Sequence, residues 1–419
     1  MQRVLLFSTT TGYQLRSFDD AATRLGVELV FATDRCHQLD DPWRDRAIPV
    51  RFHQEIHSLR VIEAAARRAP FDGVLAVGDR PVVLAARAAA RLGLPGHPPS
   101  AAAASANKRE ARRRFATAGM NVPWHIVLSL AEGLPPDDDA RLRYPCVIKP
   151  LGLSGSRGVI RVDSRAELEA AFARVRALLQ RVDVRAARTG LDDEVIVEGF
   201  IPGREYAIEG VLTAGDLQIF AIFDKPDPLD GPFFEETIYV TPSALEPGPC
   251  VKLVAAIEEG AQSLGLTDGP IHAECRIGPE GTFVLEIAAR PIGGLCSRAL
   301  RFEGGISLEE VLLRHALGEN VTSCRRESCA SAVMMIPIPR RGRLKRVDGI
   351  DEARAVPHVE DVQISAKLDQ LLEPLPEAGS YLGFIFARAA TPFDADAAIR
   401  AAHARLVFTI EDNITVLAG

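Results

Sequence analysis

A parallel α/β domain followed by α+β lobes is the fold class this sequence predicts, and three observations predict it. The chain has 419 residues, whereas single cores stop growing at roughly 250 residues, so several lobes are required. Its first hundred residues alternate short apolar runs with helical patterns, as a parallel sheet with crossover helices demands. Between 194 and 287 strand patterns dominate, broken by one Pro-rich loop and one helix, which points to a larger antiparallel sheet.

The elements follow in order. Strands are expected at 4–8, 29–33 and 74–77, with helices over 14–25, 55–69 and 82–92. Residues 93–105, with Pro95, Pro98 and Pro99, break the pattern and read as a linker, after which a basic helix covers 108–118. Two β-rich runs between 144 and 162 flank a glycine-serine loop, and a helix follows at 166–181. A Pro-rich loop at 225–232 and a helix near 251–264 interrupt the strands of the next lobe. Beyond Gly294 come a helix at 308–317, strands at 332–338 and 381–388, and a final helix at 395–407. The expected domains are 1–105, 106–200, 201–322 and 323–419, the last a separate α+β module.

Composition narrows the function classes. Hydrophobic residues make up 47%, charged residues 25%, and the net charge is −7, so a nucleic-acid partner has no electrostatic support. No stretch approaches the ~20 apolar residues of a spanning helix, and the apolar run over 1–7 is too short for a signal-peptide core. The expectation is a cytoplasmic protein without a membrane partner. The seven cysteines (Cys36, Cys146, Cys250, Cys275, Cys296, Cys324 and Cys329) are scattered and form no C-x-x-C, which indicates neither a disulfide frame nor a zinc knuckle. Only six of the 49 basic residues are lysine: Lys108, Lys149, Lys225, Lys252, Lys345 and Lys367. A lysine in such a chain marks either a place that needs a compact ammonium or chance survival at the surface.

The most informative segment is a pair of strands, 270–277 and 282–289, joined by Gly278-Pro279-Glu280-Gly281. Alternation puts Ile271, Ala273, Cys275 and Ile277 on one face and His272, Glu274 and Arg276 on the other. In the second strand it puts Phe283, Leu285, Ile287 and Ala289 on the apolar face, leaving Val284, Glu286, Ala288 and Arg290 opposite. Glu274 and Glu286 are thereby brought together. Two carboxylates across a ladder repel unless a cation lies between them, and Mg²⁺, which takes one or two carboxylates plus phosphate oxygens, suits the position. The pattern is also compatible with a solvated edge hairpin in which Arg276 and Arg290 neutralise the pair.

Two further segments carry chemistry. Lys149-Pro150-Leu151-Gly152-Leu153-Ser154-Gly155-Ser156-Arg157-Gly158 lies between two strands, and its glycines and serines let backbone N–H groups turn toward an anion. It is equally compatible with a hairpin connection, although a scarce lysine at its entrance has an electrostatic use there. In Glu194-Val195-Ile196-Val197-Glu198-Gly199-Phe200-Ile201-Pro202-Gly203-Arg204-Glu205 a strand ends in a carboxylate, turns, and reopens on another. Such a bend can serve an adenine edge and a ribose, or be a hairpin with two exposed acids.

Taken together, Lys108, Lys149 with its loop, the Glu198–Glu205 bend, Glu274 and Glu286-Ile287-Ala288-Ala289-Arg290 resemble, in order and spacing, the ATP-grasp superfamily. Within it the chain looks most like the L-amino-acid ligases (dipeptide synthetases), carboxylate–amine ligases that form ADP. The resemblance implies an ATP-grasp fold behind an N-terminal Rossmann-like domain. It makes Lys108 and Lys149 phosphate contacts, and Gly152, Ser154, Gly155, Ser156 and Gly158 a lid over the triphosphate. Glu198 and the backbone of Phe200 and Ile201 would hold adenine, and Glu205 the ribose. Glu274 and Glu286 would ligate Mg²⁺, or Mn²⁺ in its place. Arg290 would face an acyl phosphate, with Lys225 near the transferred phosphate. Apart from the resemblance, the loop 227–236 with Glu235 and Glu236 is expected to shape the substrate pocket, His272 either lines it or is a satisfied structural histidine, and Gly293, Gly294 and Arg298 are candidates for the acceptor's carboxylate at a helix start.

The substrates implied are an amino acid and an amine, with a carrier-protein thiol as the alternative acceptor and a homodimer as an admissible assembly. One departure stands out: the family writes Glu-x-Asn-x-Arg, and Ala288 replaces the asparagine. Water takes over that contact on one reading; on a second one metal is held more loosely, and on a third the chain is a nucleotide-binding regulator without turnover.

Overall fold

The structure is a computed structural model that describes residues 1–9, 14–34 and 47–412. Cys36 lies outside the described residues.

The N-terminal sheet is parallel throughout, in the order Ile48–Pro49, Glu28–Thr33, Arg3–Ser8, Gly73–Val77. Its central strand is apolar at nearly every position because both faces are covered. Leu5 and Phe7 point into one core, Val4 and Leu6 into a second on the other side. The helices Leu15–Leu25, Glu55–Arg68 and Val82–Leu92 supply the covers, as expected. The presumed linker instead contains a helix, Pro99–Ser105, with proline at its first turn and Ala101, Ala102 and Ala104 buried. Its prolines start a helix, where a missing N–H costs nothing, rather than prevent one.

The helix Lys108–Thr117 follows, capped by the Asn107 side chain, which accepts from the N–H of Arg109 and Glu110. This cap fixes Lys108 as the first helical residue. The next lobe is an antiparallel sheet in the order His125–Ser129, Glu194–Gly199, Cys146–Pro150, Ile160–Val162. The helix Arg165–Leu179 buries Leu168, Phe172 and Val175 against it. The glycine-serine loop joins the last two strands of that order.

The larger sheet has eight antiparallel strands: Gly281–Ala288, Gly269–Gly278, Arg204–Thr213, Asp216–Asp224, Ile238–Thr241, Ala330–Ile336, Gly383–Ala389 and Val359–Ile364. Its last three strands come from beyond residue 322, so Ile238–Thr241 hydrogen-bonds Ala330–Ile336 across the boundary expected there. A separate three-stranded sheet joins Leu371–Leu372, Gly342–Asp348 and Val407–Glu411. The expected helix over 395–407 is in fact Pro392–His403, begun by the Thr391 cap. Val407 opens a strand instead, since Val-Phe-Thr-Ile favours extended backbone. Among the described residues no helix is long and apolar enough to cross a membrane.

Candidate active site

A cavity of about 330 Å³ opens between the two sheets and the N-terminal domain. Its floor is the hairpin Gly269–Gly278/Gly281–Ala288. Glu274 and Glu286 face each other in register, as do Gly278 and Gly281 at the turn. Ile271, Ala273 and Cys275 are buried in the core beneath. The second strand departs from the expected alternation. The register shifts between Glu274 and Cys275, where a bulge leaves Leu285 without a ladder partner. Val284 therefore joins Ile287 and Ala289 in the core, while Leu285 and Glu286 both line the cavity. Bulges of this kind re-aim side chains beside binding sites.

Arg112 compensates for the bulge. Its Nη1 donates to the carbonyls of Val284, at 3.3 Å, and Leu285, at 3.0 Å. Its Nε and Nη2 donate to the Glu198 carboxylate at 2.9 and 3.2 Å. One buried arginine thus ties the helix Lys108–Thr117, the hairpin and the smaller lobe. Glu198 also accepts from Lys149 Nζ. Burial opposes its ionisation, but Arg112 and Lys149 outweigh burial and hold it well below the usual carboxylate range. Burial likewise lowers Lys149, with Glu198 opposing the effect. Replacing Arg112 by leucine should cost about 3 kcal/mol or more in urea unfolding, because a buried carboxylate loses its main partner. A change below about 1 kcal/mol would contradict the burial argument.

Lys225 is buried behind the floor. Its Nζ donates to Glu205 at 2.7 Å, Glu236 at 2.7 Å and Glu274 at 2.9 Å. Burial disfavours the ammonium, yet the three carboxylates raise it well above its ordinary value. The same crowding pushes Glu236 up to about 8, through burial first and Glu274 second. Glu274 is lowered, since Lys225 overcomes the effect of burial. The carboxylate oxygens of Glu205, Glu236 and Glu274 lie within 4.8 Å of one another. The Lys225 ammonium already serves these three, whereas Glu274 and the facing Glu286 are hard oxygen donors that fit Mg²⁺ or Mn²⁺ at the cavity side. Lys108 forms a 3.4 Å ion pair with Glu286 and donates to the Leu153 carbonyl at 2.9 Å.

The loop residues Ser154, Gly155 and Ser156 line the cavity, with left-handed backbone at Gly155 and Ser156. Gly152 and Gly158 instead pack: a Cβ on Gly158 would meet Pro150 and Leu178, and one on Gly152 would press on Leu191. The C-terminal lobe clasps this loop, Gly158 N–H donating to Pro376 O at 2.9 Å and Arg157 Nε to Glu377 O at 2.7 Å. Beneath the loop, Val147, Val159, Phe200, Leu229 and Phe234 form an apolar cleft.

Several expected site residues sit differently. Both Glu198 oxygens accept from Arg112 and Lys149, and both Glu205 oxygens from Lys225 and Arg276, while both residues line the cavity. Arg276 serves Glu205, and Arg290 serves Asp79 at 2.6 Å, so neither neutralises the Glu274–Glu286 pair by hydrogen bonding it. His272, Glu236, Gly293 and Gly294 do reach the cavity. Glu235 and Arg298 are not among its lining residues. Burial raises the Glu235 carboxyl above its ordinary value, and Arg298 pairs with Asp361 at 2.9 Å while stacking on Phe386. Cys296 lines the cavity with its thiol raised by burial, in keeping with a structural role.

Three partners escaped the sequence analysis. Arg112 was hidden in an arginine-rich helix. Glu209, fully buried, accepts from Ile292 N–H and pairs with His272 Nδ1 at 3.1 Å. Asp79 follows Gly78 at the carboxyl end of the strand Gly73–Val77, a place where open α/β sheets commonly bind ligands; that position was the available signal.

Comparisons with known proteins agree with this architecture. A family model of the ATP-grasp domain matches residues 142–299, one of the ATP-grasp N-terminal domain 18–96, and one of the L-amino acid ligase C-terminal domain 334–411. The crystal structure of an L-amino acid ligase from Bacillus licheniformis superposes with a TM-score of 0.84 at 26% identity, covering 98% of this chain and 99% of that one. An uncharacterised protein of Sinorhizobium fredii is 25% identical over 96% of this chain and 82% of its own length. The alanine–anticapsin ligase of Bacillus subtilis is 29% identical over 54% of this chain, and the match spans about half of that relative, 50%.

Proposed function

The chain belongs to the ATP-grasp superfamily, and from that premise we propose that it activates the carboxylate of an amino acid with ATP and passes the acyl group to an amine, releasing ADP and phosphate. The observation that carries the reading is the cavity floor, where Glu274 and Glu286 face each other beneath Lys108, Lys149 and the glycine-serine loop.

Glu274 and Glu286 would hold Mg²⁺ or Mn²⁺, which when bound supplies charge neutralisation at the phosphate oxygens. The chain's own residues do the rest. Every cation around the cavity already has an acidic partner: Lys108 with Glu286, Lys149 with Glu198, Arg290 with Asp79. A divalent ion on Glu286 would release Lys108 toward phosphate, so metal and nucleotide binding reinforce each other. Lys149, anchored by Glu198, points a compact ammonium at the triphosphate. Glu205 keeps Lys225 and Arg276 in place. Phe200, Phe234 and the backbone of Ile201 would bracket adenine in the apolar cleft. Arg290 stabilises charge as the acyl phosphate forms and is attacked.

Ala288 stands directly across the ladder from His272, and on this reading a water would take the contact an asparagine would make there. A hydroxylamine trap tests the mechanism: an amino-acid hydroxamate forming only with ATP and a divalent ion supports the acyl phosphate, and ADP release without hydroxamate refutes it. Acylation of an added carrier protein, with no released dipeptide, would select the thiol as acceptor.

The lid makes its own prediction. Gly155 has φ +61, which proline, held near −65°, cannot adopt. Gly155→Pro should therefore raise KM for ATP at least about 10-fold while sparing the fold. An unchanged KM would mean that the loop is only a hairpin connection.

A further inference from the structure

Asp79 poses an electrostatic puzzle. It projects into a cavity otherwise furnished for phosphate, where an unpaired carboxylate would repel the ligand. Gly78, in the left-handed conformation at φ +80, turns the chain sharply at the end of the strand Gly73–Val77 and delivers Asp79 to the cavity wall. There its Oδ1 accepts from Arg290 Nε at 2.6 Å. Ser154 in the lid lines the same cavity, and its hydroxyl helps to hold that carboxylate in its charged form. Burial raises the cost of this charge, but Arg290 outweighs it and keeps the carboxyl below its usual range.

Arg290 is anchored twice. Nε is held by Asp79, and Nη1 donates to the Pro291 carbonyl at 3.0 Å. Among the described residues Nη2 is assigned no acceptor, and Arg290 lines the cavity. A guanidinium is a rigid planar fork, so fixing two of its nitrogens fixes the direction of the third. The N-terminal domain thus supplies one anion that holds the arginine and shares a cavity wall with the lid.

We infer that Asp79 is a positioning residue for the reaction: it aims Arg290 Nη2 at the reacting acyl group and, through Ser154, makes that aim depend on lid closure. The inference rests on the reading of Arg290 as the group facing the acyl phosphate. Its consequence is that the N-terminal domain, which contributes neither of the proposed metal-ligating carboxylates, sets the rate of the chemical step.

The test uses the full chain with Asp79→Ala and the near-isosteric Asp79→Asn. Asp79→Ala should lower kcat for amino-acid-dependent ADP formation by about 100-fold, the scale of a misplaced catalytic group, with KM for ATP and amino acid changed by less than about 3-fold. Asp79→Asn, which can still accept from Nε, should recover part of the loss. In an Arg290→Ala background Asp79→Ala should cost nothing more, because it acts through that arginine. Wild-type kcat in Asp79→Ala, additive losses in the double variant, or a retained kcat with a raised amino-acid KM would each overturn the proposal; the last would make Asp79 a direct reader of substrate. Tryptic cleavage after Arg157 in the presence of Mg·ADP reads the lid without any turnover. It should be faster in Asp79→Ala than in the wild type, and equal rates would refute the lid contact. Wild-type protein that forms no ADP with any amino acid would count against the ligase reading, and the lid measurement would still decide on Asp79.

Discussion

Glu286→Gln is expected to lower ADP formation at limiting Mg²⁺ by about 100-fold or more, with the fold intact. The side chain lines the cavity and is 27% exposed, so its loss of charge leaves no buried carboxylate behind. Two effects act together. The proposed metal site is left with Glu274 as its one charged ligand, and Lys108 loses the anion that holds it at 3.4 Å. Raising Mg²⁺ should recover part of the activity, since a weakened site still fills by mass action. Binding of Mn²⁺, followed by electron paramagnetic resonance, should weaken in parallel whether or not the enzyme turns over. Near-wild-type turnover at limiting Mg²⁺ would remove Glu286 from the metal site.

Lys149→Arg should be almost as damaging, although it keeps the charge. The ammonium sits between Glu198 and the cavity with its side chain 14% exposed, and a bulkier planar fork does not fit that space without shifting Glu198 or Arg112. A displacement of about 1 Å in a group contacting the reacting phosphate costs on the order of 100-fold. The control is Lys252→Arg, the same exchange on the exposed side of the helix Pro247–Leu264, where substitutions normally stay within about 0.5 kcal/mol. That variant should match the wild type in rate and melting temperature. Equal, undiminished rates for both would show that Lys149 does not contact phosphate.

What the residue pattern revealed, and what it hid, follows from the range of the interactions involved. The N-terminal sheet was legible because strands covered on both faces, such as Arg3–Ser8, are apolar at consecutive positions. The pairing of Glu274 with Glu286 was legible because a tight turn counts residues outward from itself. The bulge at Leu285 was not, since leucine is compatible with either face and an alternation rule cannot see a skipped position. The strand Gly342–Asp348 was missed for a related reason. Its Arg343, Lys345 and Arg346 are exposed and leave Leu344 as the buried apolar residue, too little signal for a strand. Arg112 and Asp79 find their partners Glu198 and Arg290 at 86 and 211 residues' separation, and no local pattern reports such a contact. Lysine scarcity worked unevenly: Lys108 and Lys149 line the cavity and Lys225 is buried behind its floor, whereas Lys252 and Lys367 are exposed.

The central claim is that ATP is cleaved between its β- and γ-phosphates to activate an amino-acid carboxylate. The most direct measurement is nucleotide product analysis of the wild-type chain with ATP, Mg²⁺ and a panel of amino-acid pairs. ADP and inorganic phosphate are expected in equal amounts, formed only when an acceptable amino acid is present and abolished by removing the divalent ion. AMP and pyrophosphate as products, or tight ATP binding with no ADP released across the whole panel, would contradict it.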